Sequence, residues 1–292
     1  MMGGAVKTLS VGFLAVALAA MALSAPVVAA EKMLPIFDTH VHYSQEAWRT
    51  FSPSAILDKL TAAGVARALV SSTPDDGTLM LYRADRERIV PILRPYRDGA
   101  DMDRWFRDRG SSTMVAGRLG RGIYRGIGEF HLLYESEART PEIRRLIRMA
   151  VARDIVLHVH SGAPPVRALF AIEPKLKVLW AHAGMAAPPG MIRRLLERYP
   201  LLWTELSFRA EDIAPDGRLD PAWRQLFLDH PGRFMVGTDT YINGRWEIYS
   251  GLVEEHRRWL ALLPRKVAKA IAHGNAVKLF GAGGRGGAWI SP

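Results

Sequence analysis

The chain of 292 residues contains no cysteine. That excludes disulfides, thiolate zinc ligands, a cysteine nucleophile and a lipoprotein attachment site. Beyond residue 30 no apolar run is long enough to cross a bilayer. No Ser/Gly-rich linker divides the chain, and no basic tract is interleaved with aromatics, so no specific nucleic-acid partner is expected. Acidic residues are in the minority: 39 Lys and Arg stand against 29 Asp and Glu, a formal net charge of +10. The basic residues are scattered and mostly arginine. Such a field would attract anionic substrates, nucleic acid or anionic envelope surfaces, and an arginine-biased composition accounts for it equally well.

The first residues have the pattern of an export signal. Met1 to Lys7 carries one positive charge, residues 8–25 are apolar, and Val28-Ala29-Ala30 supplies the small residues that a signal peptidase reads. We expect a Sec-type signal peptide over residues 1–30 and a periplasmic or secreted mature protein, with an uncleaved anchor as the rival. Cleavage after Ala30 leaves 262 residues. Near half of the chain is hydrophobic, enough for one large core without disulfides. The expected domain is 31–285, followed by a flexible tail over 286–292, the end of a glycine-rich stretch that begins at Gly281.

From Met33 onward short apolar runs alternate with segments of helical period, the pattern of parallel strands joined by helical crossovers. The expected strands are 34–40, 66–71, 89–94, 123–129, 155–160, 177–182, 201–207 and 234–239. Eight is the number that closes a (β/α)8 TIM barrel. Expected helices are 53–63 with Ser52 as cap, one around 101–109, 141–153 capped by Thr140, and 188–199, 221–229 and 247–262.

In such a barrel the C-terminal strand ends converge on one mouth. His40 and His42 close the first expected strand, and residues two apart share a strand face. Both imidazoles can therefore reach one cation, and neutral imidazole is a common ligand for zinc and similar metals. Glu129 ends the fourth expected strand, His160 the fifth, His182 the sixth and Asp239 the eighth. Six residues with metal-ligand chemistry thus fall on one expected rim.

These residues carry a resemblance. The order Asp38-Thr-His-Val-His, Gly128-Glu129, His160-Ser-Gly, His182-Ala-Gly, Gly237-Thr-Asp239 and the closing Gly274-Asn275-Ala-Val-Lys-Leu-Phe280 resembles the amidohydrolase superfamily, in particular its amidohydrolase-related branch. The resemblance implies a divalent ion (zinc, manganese or magnesium) held by His40, His42, His160 and Asp239. It makes His182 a further ligand or a catalytic group, and Glu129 matches the Gly-Glu of TatD-type nucleases, where the carboxylate can bridge two ions. No lysine stands at that strand end, which argues against a carbamylated-lysine centre; one ion or two stays open. Implied is a hydrolase of small amides, esters or lactones, with Asp239 passing on the water's proton and His182 steadying negative charge. A decarboxylase, a phosphodiesterase or nuclease, and a non-catalytic envelope binding protein are the alternatives.

Other residues near the mouth read less sharply. Arg94 and Arg209 could clamp an anionic substrate or simply lie at the surface. Tyr96, Tyr241 and Asn243 sit on loops of the same face, and Trp246 reads as the start of a helix behind the barrel. His158 is expected as a hydrogen-bonded core histidine, His131 as a pocket or loop residue, His230 and His256 as surface residues, and His273 as structural.

Overall fold

Eight short parallel strands run from residue 36 to residue 235, built largely from the β-branched, leucine and aromatic residues that suit strands covered on both faces. They are β1 (Ile36–Val41), β2 (Val65–Val70), β3 (Ile89–Pro91), β4 (Gly126–Leu132), β5 (Val156–Ser161), β6 (Lys177–Trp180), β7 (Leu202–Glu205) and β8 (Phe234–Met235). This computed structural model describes residues 1–4 and 33–281, so most of the expected signal peptide and the tail beyond Gly281 lie outside the described residues. The chain divides into Met1–Lys32 and Met33–Pro292, and every described element belongs to the second unit. Among the described residues no helix is long and apolar enough to cross a membrane.

Consecutive strands pair in two ladders, β1-β2-β3 and β4-β5-β6-β7-β8. Backbone hydrogen bonds join their edges. Leu93 N donates to Gly126 O (3.1 Å) and Gly128 N to Leu93 O (2.8 Å), while Thr39 N donates to Val236 O (2.8 Å) and Asp239 N to His40 O (2.7 Å). The strands thus form the expected (β/α)8 barrel. β6, β7 and β8 stop two to four residues earlier than expected, because the backbone leaves the ladder to present His182, Ser207 and Asp239.

Helices fill the crossovers. The Ser52 side chain accepts from Ala55 N ahead of the helix Pro53–Ala62, and Thr140 accepts from Ile143 N ahead of Pro141–Arg153, each with proline in the first turn. One expectation is corrected: the helix of the long third crossover is Arg109–Leu119, not 101–109. Asp98 and Asp108 bind nearby backbone N–H groups and break 99–107 into single turns, and Trp105 and Phe106 are drawn into the core. The expected helix 247–262 begins at Tyr249, after a separate short helix Asn243–Glu247 that buries Trp246.

The two strand faces supply two apolar layers. Outward residues such as Leu157 and Val178 pack under the helices, while Phe37, Leu69, Val90, Ile92, Val156, Leu179 and Met235 form a second cluster inside the barrel. The helix Asn275–Phe280 closes that cluster, with the Phe280 and Phe37 rings 6.2 Å apart. On β5 the inner face runs Val156, His158, His160, so the apolar plug and the mouth are successive layers of one interior.

Candidate metal centre at the barrel mouth

Two ladder irregularities aim the central side chains. Along β1, Asp38 pairs with Ala68 and Val41 with Val70, so β1 advances three residues while β2 advances two. Along β4, Gly128 pairs with His158 and Phe130 with Val159, which leaves Glu129 as the extra residue. Such bulges re-aim side chains beside functional sites. Bare backbone lets the strands converge beneath them. A Cβ on Gly128 (φ +131°) would stand 2.2 Å from His158 O, and one on Gly237 2.2 Å from Glu205 Oε2.

All six expected rim residues meet. The Nε2 atoms of His40 and His42 are 3.0 Å apart. Glu129 Oε2 lies 3.3 Å from the first and 3.1 Å from the second, and Asp239 Oδ1 lies 3.5 and 3.3 Å from them. The other oxygen of Glu129 faces a second group: Oε1 is 2.9 Å from His160 Nδ1 and 3.6 Å from His182 Nε2, and those nitrogens are 3.1 Å apart. His40, His42, Glu129, His182 and Asp239 are all buried, and His160 is partly open.

Hydrogen bonds behind the rings fix which nitrogen faces the centre. His42 Nδ1–H donates to Ser71 O (2.6 Å) and His40 Nδ1–H to Glu205 Oε1 (2.9 Å). A carbonyl and a carboxylate only accept, so both Nε2 atoms can present lone pairs inward. Ser207 Oγ–H donates to Glu205 Oε1, which leaves its oxygen to accept from His182 Nδ1–H at 2.7 Å. Asp239 Oδ1 is buried without a hydrogen-bond partner among the described residues. The centre therefore gathers imidazole nitrogens and carboxylate oxygens around one point.

The donor set fits a divalent ion. With metal–ligand bonds of about 2.0–2.2 Å, a tetrahedral site has ligand atoms roughly 3.3–3.6 Å apart. The Nε2 atoms of His40 and His42 lie 3.0 Å from each other and 3.1–3.5 Å from Glu129 Oε2 and Asp239 Oδ1.

Electrostatics point the same way. Burial opposes ionisation of Glu129, yet the His40 charge and the His160 and His182 imidazoles facing it hold its carboxyl well below the usual range. Burial likewise opposes ionisation of Asp239, and the His40 charge together with the adjacent His42 imidazole brings it down to about 2. For His40 burial works against the charged form, but the carboxylates of Asp239, Glu129 and Glu205 outweigh it and raise the imidazole well above its ordinary value. Carboxylates anchored as anions and attracting positive charge describe a cation site.

Glu205 and Asp38 are absent from the expected rim. Glu205, fully buried at the end of β7, also accepts from the backbone N–H of His182 (2.6 Å) and of Ser207 (2.8 Å). Burial opposes its charge, but the charges of His40 and His182 keep its carboxyl below the usual range. Asp38 ties β1 to the β8 end, accepting from Thr238 N (3.0 Å), Thr238 Oγ1 (2.6 Å) and Tyr249 Oη (2.8 Å). Burial pushes its carboxyl up to about 6.

A cavity of about 650 Å³ opens above the centre, and Arg94, Tyr96, Glu129, His131, His160, His182, Tyr241 and Asp239 are among its walls. Arg209, expected at the mouth, is corrected. Its guanidinium is turned into the loop after β6, donating to the carbonyls of His182, Ala183 and Ala187 and to Asp212, and it does not line the cavity. Asn243 also points elsewhere, to Glu46 O and Thr50. His158 is buried against His40 with ring centroids 4.6 Å apart, but contrary to expectation neither of its nitrogens has a hydrogen-bond partner among the described residues. His256, expected at the surface, is buried with Nε2–H donating to Gly237 O at 2.8 Å; its residue spacing places it on the inner face of its helix. His230 is half-buried. His273 packs against Phe37, as a structural residue would.

Comparison with solved structures shows the same fold at low identity. A probable 2-pyrone-4,6-dicarboxylic acid hydrolase from Acinetobacter baumannii, solved with citric acid bound, is similar with a TM-score of 0.59 and 13% identity, over 85% of this chain and 100% of that one. A TatD homolog from Escherichia coli gives 0.61 and 13%, over 85% and 98%. An amidohydrolase from Burkholderia multivorans with bound HEPES gives 0.55 and 18%, over 85% and 99%. Comparison with curated proteins returns no match. The family model described as amidohydrolase matches residues 37–282, which is nearly the whole described barrel, and by that extent this chain belongs to the amidohydrolase family and is an enzyme.

Proposed function

We propose that this enzyme is a metal-dependent hydrolase that cleaves an amide, ester or lactone bond of a small substrate. The observation that carries this reading is the position of Glu129, whose two oxygens face two separate groups of donors. His40, His42, Asp239 and Glu129 Oε2 would hold one divalent ion, and Glu129 Oε1, His160 and His182 a second. Zinc suits this nitrogen-rich set, with manganese and magnesium as the oxygen-preferring alternatives. When bound, such an ion polarises a substrate oxygen and lowers the pKa of a coordinated water from about 16 towards 7.

The chain's own groups supply the rest. Asp239 lines the cavity and is held there by a left-handed backbone (φ 53°), with Arg245 donating to its carbonyl. Its carboxylate is placed to take a proton at the centre and deliver it to the leaving group. The relay from His182 Nδ1–H through Ser207 to Glu205 leaves His182 Nε2 with a lone pair, which suits a ligand or base better than a donor to an oxyanion. Glu205 acts through His40 and His182 as a positioning residue.

The test is turnover of a panel of lactones, esters, amides, phosphodiesters and aromatic carboxylates by protein purified without chelators and offered zinc, manganese or magnesium. Hydrolysis of a carbonyl substrate, lost on chelation and restored by the ion, is the expected result. Turnover of phosphodiesters alone, release of CO2 from the carboxylates alone, or carbonyl hydrolysis indifferent to chelator would overturn the reading. The apolar leader read in residues 1–30 supports an export proposal, tested by the N-terminal sequence of protein recovered from its native envelope fraction.

A further inference from the structure

We infer that the substrate carries an uncharged aromatic or branched apolar body rather than several carboxylates, an inference that rests on the metal centre proposed above. The basic charge of the chain suggests the opposite, but the arginines near the mouth are already engaged. Arg94 Nε donates to Glu129 O (3.0 Å) and its NH2 group to Glu129 Oε2 (3.1 Å). Arg209 is bound to loop carbonyls and Asp212. Arg245 donates to the carbonyls of Asp239 and Thr238 at 2.6 Å each, and its guanidinium lies 4.1 Å from the centre of the Phe208 ring. None of these three guanidinium groups is left in the bidentate pose that carboxylate recognition uses. The cavity rim instead carries two exposed carboxylates, Glu46 and Asp98, which repel an anionic body.

The same cavity is walled by Met102, Met185, Phe208 and Tyr241, all large apolar or aromatic side chains left 38–53% exposed. Two of them are held out at a conformational cost. Phe208 (φ 63°) and Met185 (φ 56°) have left-handed backbones, which non-glycine residues adopt rarely and under strain. Phe208 is fixed between the Arg245 guanidinium, the His182 ring at 5.6 Å and the Tyr241 ring at 6.3 Å. Strained residues that present apolar surface over a polar centre mark a contact for a ligand. At about 650 Å³ the cavity has the size of small-molecule sites, where apolar walls grip the body and a few polar groups orient the reacting end.

Three hydroxamates that share one metal-binding head separate body from head: acetohydroxamic acid, phenylacetohydroxamic acid and the latter's 3,5-dicarboxy derivative. Calorimetric binding to the zinc-loaded full chain is measured, with no need for turnover. We expect the phenyl compound to bind at least ~10-fold tighter than either of the others. F208A and Y241A should each weaken it by about 10-fold while acetohydroxamic acid changes less than about 2-fold, and E46Q with D98N should narrow the gap to the dicarboxylate. Equal or tighter binding of the dicarboxylate, or no gain from the phenyl ring, overturns this inference while leaving the metal reading intact. Failure of all three to bind overturns both. Absence of hydrolysis with any ester, lactone or amide, beside the expected binding order, removes the hydrolase reading alone.

Discussion

Inside the barrel the same strands change character within two or three residues. On β5, Val156 belongs to the apolar plug with Phe37, Leu179 and Met235, whereas His160 stands at the mouth; on β1, Phe37 is followed by His40 and His42. The plug is saturated, each side chain buried against another and the end closed by Phe280. The mouth is the reverse: buried carboxylates gather around four imidazoles, Asp239 Oδ1 lacks a hydrogen-bond partner among the described residues, and His182, Ala183, Met185, Phe208 and Asp239 all have left-handed backbones. One end gains free energy by excluding water, and the other spends some of it to hold charged groups at fixed spacing. The comparison teaches that stability and chemistry are separable along each strand, and that substitution at one end should leave the other's property largely untouched.

The largest separation is expected at the ligands. H40A or D239N should lower turnover by on the order of 10³-fold or more and strip the ion, while the folded barrel survives. Steady-state kinetics, metal analysis and circular dichroism check it; unchanged turnover would sink the assignment. At the other end, F37A or F280A should cost about 3–5 kcal/mol of stability from lost burial and the cavity left behind. Urea titration measures that, and the ion content per folded molecule should stay at the wild-type value. A smaller effect is expected between the two ends at Glu205. E205Q keeps its shape but removes the charge behind His40 and His182, which should cost roughly 10–100-fold in ion affinity or activity.

How much of this is legible in the sequence depends on how local the determining physics is. The strand order, the Ser52 and Thr140 caps and the paired faces of His40 and His42 follow from spacing, because period two and period 3.6 are properties of the backbone itself. The meeting of Glu129, His160, His182 and Asp239 is legible only through the rule that barrel strand ends share a mouth. Glu205 is a different case: a strand read as 201–207 ends at Ser207 and passes over it, although a lone carboxylate in an apolar strand must find a buried partner. His256 shows a signal that was available, since it shares a helical face with Leu252, Val253, Trp259 and Leu260. The direction of Arg209 is not legible, because carbonyls 22–27 residues earlier in the chain decide it. Nor are the two bulges, which depend on register against the neighbouring strand.

The smallest expected effect is a pH dependence outside the centre. Burial lowers His256 to about 4, so it folds as neutral imidazole and is more basic in the unfolded chain, near the ordinary imidazole value of 6.5. Its depressed value means that stability is fully present above about pH 6.5, falls as pH drops towards 4, and falls no further from this group below that. H256Q, which keeps a donor for Gly237 O, should show a shallower decline of Tm between pH 6.5 and 4 than wild type. Parallel curves would contradict the assignment.

As proposed, the mouth would be a cation site bridged by Glu129. The direct measurement is the number of zinc ions per chain, by elemental analysis of protein loaded with zinc and passed through a desalting column, for wild type and E129Q. Two ions are expected for wild type and at most one for the variant. No bound zinc in wild type, or the same count in both proteins, would contradict it.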